Sequence, residues 1–265
     1  MLTLLLSLLA MAGLWVGLYY GAHWGAWSGV LSGFVGVGIY VGAMVLIRRR
    51  VSALMEAIQG RITERNNALM RKYQHLGGRG GDARRLMDMA RKDQAVILSE
   101  ALEATRQMEP YCRWSLLLDR QINALRVQFL YPLRKFDEVD RLLPRSLLID
   151  PVLSCMLMCR QYQHGEDVAL QKTYDTYRKK FKVNATLIYA TYAWMLLKKK
   201  QVEQARLVLL EGKKATEDEI LEKNWEHVTN GRLAQFSNAE LGEPWYALLL
   251  EEPKQLKPKM VRRFR

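Results

Sequence analysis

Apolar residues follow two regimes along this chain. Residues 1–47 are almost continuously apolar and contain no Asp, Glu, Lys or Arg. From residue 48 onward, apolar positions recur every three or four residues among charged ones, as amphipathic helices require. The first regime is too long for one membrane crossing. As a helix it would extend roughly 70 Å, against a hydrocarbon core of about 30 Å. It therefore predicts two transmembrane helices, about residues 2–20 and 25–47, with a turn near Gly21, Ala22, His23 and Trp24. Tyr19, Tyr20, Trp24 and Trp27 gather there, as aromatic residues do at a membrane–water interface.

A glycine ladder runs through both predicted spans: Gly13, Gly17, Gly21, Gly25, Gly29 and Gly33. Each step of four residues advances about 40° around a helix. Three glycines span about 80°, one face; six span about 200°, which is no single face. The ladder therefore divides into Gly13/Gly17/Gly21 and Gly25/Gly29/Gly33, two small-residue stripes able to bring transmembrane backbones together as a glycine zipper. Gly36 joins the second stripe. Gly38 and Gly42 fall on roughly the opposite face. That face is predicted to meet another copy of the chain, forming a homo-oligomer, or another membrane protein.

Arg48, Arg49 and Arg50 follow the apolar run directly. The positive-inside rule places them, and hence the rest of the chain, in the cytoplasm, and an even number of crossings places the N-terminus there too. A cleaved signal peptide is the competing reading of Leu4–Leu9 followed by Ala10-Met11-Ala12, but a basic leading region is missing and the apolar run continues. Residues 48–82 then read as a basic juxtamembrane helix and a glycine-rich hinge. Val51, Leu54, Met55, Ile58, Ile62 and Leu69 form one stripe, and Arg61, Arg65, Arg71 and Lys72 lie on other faces, facing either anionic headgroups or water. "HLGGRGGDARR" breaks the helix, with Asp82 placed to cap the next one. No strand precedes it and no Lys-Ser/Thr follows, so it is not a phosphate-binding loop.

Residues 83–253 alternate helical stretches with short turns and show no strand pattern, which predicts an all-α domain with a C-terminal cap. Residues 83–108 form the first long helix, ended by Glu109-Pro110. Within "NATLIYATYAWMLLKKKQVEQARLVLLEGKKATED", large residues Tyr189, Tyr192, Leu196 and Leu209 alternate with small Ala193, Ala205 and Gly212, as two closely packed helices require. "FDEVDRLLPRSLLIDP" repeats the second-helix pattern through Val139, Leu143, Ser146 and Pro151, although Arg126 stands where its first helix needs a large apolar residue. Between them, residues 152–163 and 166–181 form a further pair joined by "QHGE". Over residues 113–218 this resembles the tetratricopeptide repeat (TPR) family. The resemblance implies an α-solenoid of helical hairpins, hence an all-α protein with a transmembrane helical hairpin followed by a TPR-like solenoid. The layout resembles bacterial inner-membrane proteins that join such a hairpin to a TPR domain. It further implies a concave surface for an unidentified protein or peptide, with Asn123, Tyr189, Thr191 and Lys198 as groove candidates.

The remaining features change this picture little. Cys112, Cys155 and Cys159 are an odd count without framework spacing; Cys155 and Cys159, flanked by Met156 and Met158, read as buried apolar side chains rather than as a soft-metal site. Four histidines lack metal spacing, acidic pairs sit in turns, and no nucleophile, dinucleotide or phosphate signature is present. The sequence thus predicts neither enzyme nor cofactor. Trp225, Phe236, Trp245 and Tyr246 mark the cap, with an aromatic ligand box as the alternative, and Asn238 reads as an N-cap. The basic tail, residues 254–265, suits lipid or an acidic partner better than nucleic acid. The chain's net charge of +13 is carried entirely beyond residue 47. The expected function is a membrane-anchored scaffold or adaptor in contact with membrane lipids. The alternative is a subunit of a larger membrane complex, assembled through its glycine-rich hairpin.

Overall fold

Why the apolar run does not end in a second span of its own is explained by the stripe that follows it. Val51, Leu54, Met55, Ile58 and Ile62 continue the helical period without a breaker, so the helix passes through Arg48–Arg50 uninterrupted. In the computed structural model, which describes residues 2–21, 27–77, 83–115 and 117–252, every element is helical. Helix α1 is Leu2–Val16, followed by a π-helical turn, Gly17–Gly21. Helix α2 is one continuous element of 51 residues, Trp27–Gly77. This corrects the expected pair of similar spans: the described N-terminal region is dominated by one long helix. It is the one described helix long and apolar enough to cross a membrane, whereas α1 is shorter. Ala22, His23 and Trp24 of the expected turn, Gly25, the hinge at residues 78–82 with Asp82, and the basic tail lie outside the described residues.

The chain divides into two units, Met1–Leu147 and Leu148–Arg265. In the first unit, α3 (Ala83–Ala104) runs back along α2. Lys72 donates to Asp93 at 2.9 Å, and Arg65 pairs with Glu100 one stage farther along, which fixes an antiparallel register. A 3₁₀ turn (Thr105–Met108) and the short α4 (Glu109–Cys112) follow. Pro110 opens α4, where its missing N–H costs nothing, instead of only stopping α3. Then come α5 (Leu118–Leu130) and α6 (Phe136–Leu142). The unit's core is built from Val51 and Ile58 of α2, Ala101 of α3, Met108, and Leu118, Ile122 and Phe129 of α5. The stripe from Val51 to Ile62 is therefore structural core and not a free linker.

The second unit holds α7 (Pro151–His164), α8 (Asp167–Phe181), α9 (Thr186–Lys198), α10 (Val202–Thr216), α11 (Glu219–Thr229) and the short α12 (Glu243–Tyr246). Its caps are legible in the residues. The Asp150 carboxylate accepts from Val152 N at 2.9 Å with Pro151 in the first turn, and Gly165 ends α7 with a φ of 72°, a left-handed conformation that glycine adopts without strain. Asp218 accepts from Ile220 N at 2.9 Å to start α11. Helix α9 is buried on nearly all sides and packs on α7, α8, α10 and α11. The closest approach is at Gly212, where a Cβ would lie 2.8 Å from Tyr189 Cγ.

Candidate membrane-facing site and partner surfaces

An unusual surface runs along α1 and the first half of α2. Leu5, Leu9, Trp15, Phe34, Val37 and Leu46 are all exposed, Phe34 to 76%. Among the described residues, Thr3, Ser7 and Ser32 are turned inward. Ser7 donates to Leu4 O at 2.9 Å and Ser32 to Gly29 O at 3.0 Å, each satisfying its hydroxyl within its own helix. Both serines are buried, as is Thr3. The arrangement is inverted relative to a water-soluble helix pair, with apolar side chains outside and hydroxyls inside.

Only part of the glycine ladder makes contact. A Cβ on Gly36 would meet Met11 Cβ at 3.0 Å, and one on Gly29 would sit 3.6 Å from Trp15 Nε1. These pairs progress in opposite directions along the two helices. Gly13, Gly17 and Gly33 meet nothing within 4 Å. The predicted glycine-against-glycine seam is corrected accordingly: small residues of α2 receive large side chains of α1. Gly25 and the surroundings of Gly21 lie outside the described residues. Gly38 and Gly42 have open space around them, on a face that no described residue covers. Arg48, Arg49 and Arg50 are exposed directly after this apolar surface.

The repeat residues come together as a core. Tyr189, Ala193, Leu196, Ala205 and Leu209 are buried, and Tyr192 is half-buried, stacked on Tyr174 with ring centroids 4.1 Å apart. Two of the four groove candidates do not face an open surface. Thr191 is fully buried and donates to Leu187 O at 2.7 Å within its own helix; Tyr189 is 3% exposed, with only its hydroxyl reaching Glu211 at 3.3 Å. Helix α9 is surrounded on too many sides for its fourth and sixth positions, Tyr189 and Thr191, to line a groove. Asn123, in the first unit, is half-buried, and Lys198 is exposed over the Trp194 ring at 5.0 Å. The Tyr174 hydroxyl is enclosed without a hydrogen-bond partner, and burial pushes its pKa above the usual phenol range.

The aromatic tail is closed and does not form a ligand box. Trp245 is fully buried, and the Glu251 carboxylate accepts from both Trp194 Nε1 (2.7 Å) and Trp245 Nε1 (3.0 Å). Asn238 is not a cap. It is fully buried, donating to Ala190 O at 3.1 Å and accepting from Asn224 Nδ2 at 2.9 Å, while Asn224 also accepts from Ser237 N at 3.0 Å. This amide pair holds residues 237–238 against α9 and α11. Sequence reasoning missed it because neither asparagine carries a local pattern that names a partner 14 residues away. Burial of the Cys155 thiol pushes its pKa up to about 12, which makes it inert as a thiolate donor. Cys159 is equally buried, and among the described residues no cluster of His, Cys, Asp or Glu could hold a metal ion.

One cleft of about 340 Å³ opens in the first unit, over Leu102, Leu130 and Leu142, rimmed by Glu109, Arg126 and Arg141. Arg126 explains itself here. Its Nε donates to the buried Thr105 Oγ1 at 2.9 Å and its guanidinium pairs with Glu109, a polar tie where the repeat pattern asked for an apolar contact. Comparison with protein-family models, curated proteins and solved structures finds no match to this chain.

Proposed function

We propose that this protein is a membrane-anchored helical-repeat adaptor that displays a cytoplasmic partner surface. The observation that carries the reading is the exposed apolar surface of α1 and α2. A contiguous surface of this kind is unfavourable in water and marks a membrane or partner contact. Its uncharged length, its inward-turned serines and the three arginines at its end favour lipid. In this reading α2 crosses the bilayer up to about Leu46. Helix α1, followed by its π-turn, packs along α2 within the same apolar surface. Residues 48–265 then stand on the cytoplasmic side. Support for a TPR-like stack comes from the order of contacts in α7–α11, in which antiparallel neighbours pack on one another through small–large pairs such as Gly212 and Tyr189.

A second reading rests on Gly38 and Gly42. Their open face lets another transmembrane helix approach closely, which would make the protein a subunit, or a homo-oligomer, assembled within the bilayer. The two readings separate by purifying the intact chain from detergent in three forms. A partner kept by Gly38→Leu/Gly42→Leu but lost on Lys198→Glu with Asn123→Arg supports the adaptor. The reverse pattern assigns the partner to the membrane face and removes the adaptor reading.

A further inference from the structure

The corner between α4 and α5 is joined to the start of α1. Thr3 Oγ1 donates to the Trp114 carbonyl at 2.8 Å, across a sequence separation of 111 residues. Two independent routes give the height of this corner along α2. Met11 faces Gly36, and Thr3 lies eight residues, roughly 12 Å, before Met11 on a helix running the opposite way. Thr3 is therefore level with about residue 44 of α2, one turn before Arg48. From the other side, Ile47 and Val51 of α2 pack into the same core as Tyr111 and Cys112, the residues just before the corner. Both routes place the corner where the apolar surface of α2 gives way to its arginines.

The side chains there have an interfacial character. Trp114 is 36% exposed and Leu117 46%, while the next residue, Leu118, is buried in the core. Arg113 is exposed beside them. A tryptophan and a leucine left open at the boundary of a hydrocarbon layer, flanked by arginine, is the composition of a segment resting among headgroups. We infer that the corner carrying Trp114 and Leu117 is a further membrane contact, seated in the headgroup zone of the cytoplasmic leaflet. It rests on the membrane reading given above. The Thr3 hydrogen bond then locks the entry of α1 to this corner, so the core of the first unit lies directly against the bilayer and not at the end of a tether.

Nitroxide labelling of the full chain in anionic phospholipid vesicles tests this, in a Cys112→Ser background. One label is placed at Leu117→Cys, one at Phe34→Cys, and one at Met70→Cys, which is 64% exposed on the distal part of α2. The expected result is that position 117 loses collisions with a water-soluble nickel complex relative to position 70, yet stays shallower than position 34. If position 117 collides as freely as position 70 while position 34 reports hydrocarbon, the corner does not touch lipid and only this inference falls. If position 34 is also water-accessible, the membrane reading fails and the inference with it. Trp114→Ala with Leu117→Ser gives a second readout: the label at Arg113→Cys should gain nickel collisions without any change at position 34. No gain at position 113 would overturn the seating.

Discussion

Two helix pairs in this protein are closed by the same device but present opposite outer faces. In the N-terminal pair, Gly36 and Gly29 of α2 receive Met11 and Trp15 of α1. In the second unit, Gly212 of α10 receives Tyr189 of α9. The inner surfaces follow one rule, small against large, because backbone approach and dense packing are required in both. The outer surfaces differ completely. Helix α10 exposes Glu203, Gln204 and Lys214 to water, whereas α2 exposes Phe34, Val37 and Leu46. Tightness therefore reveals nothing about environment. The outward faces do, and they divide the molecule at Arg48.

The pairs also differ in how much slack they keep, and this orders the expected effects. The largest belongs to Gly212→Val. A Cβ there lies within 3.0 Å of Tyr189 Cβ and Cγ, atoms next to its backbone that cannot swing aside, so we expect a loss of about 3 kcal/mol or more, read as a lower unfolding midpoint of the second unit. Gly36→Ala meets Met11 at 3.0 Å, and the flexible Met side chain can yield. We expect a much smaller loss, and equal effects at the two glycines would break the comparison.

Next in size is Asn224→Ala, which strips the buried Asn238 of a donor and frees residues 237–238 from α11. The expected cost is about 1–3 kcal/mol, with faster amide exchange in residues 237–241. Tyr174→Phe has the opposite sign. It removes a buried hydroxyl that has no partner, and should raise the midpoint by about 1 kcal/mol; a drop would show that the hydroxyl is satisfied in solution.

The smallest effect is at the distal, water-facing part of α2. Hydrogen bonds from Lys72 and Tyr73 hold the Asp93 carboxyl below its usual range. A depressed carboxylate pKa contributes stability above the ordinary value and loses it as pH falls through the lowered one. Asp93→Asn should therefore flatten the acid end of the local exchange profile of α2–α3 and leave neutral-pH behaviour nearly unchanged, because the pair is exposed.

Much of the second unit was legible before its structure. The break at Asp150-Pro151, the glycine turn at Gly165 and the spacing of Tyr189, Ala193, Ala205 and Leu209 are local signals, and the helices and their buried faces follow from them. The first unit was less legible. Nothing near Val51 or Ile58 states that their stripe will be covered by α3 and α5, and a single 51-residue helix carries no mark where its exposed face turns from apolar to charged except its arginines. Tyr189 and Thr191 dropped out of the groove for a related reason: periodicity assigns each a face, but only the surrounding helices decide whether that face is open. The Asn224–Asn238 pair was invisible because amide partners far apart in sequence leave no pattern.

The central claim is that the molecule changes solvent at Arg48. Protease digestion of the full chain reconstituted in sealed vesicles tests it most directly, with fragments identified by mass. The account predicts that, in molecules whose residues 48–265 face outward, cleavage covers that segment while a fragment ending near Arg48–Arg50 survives until detergent is added. Cleavage between residues 29 and 46 in intact vesicles, at the rate seen beyond residue 50, would contradict it.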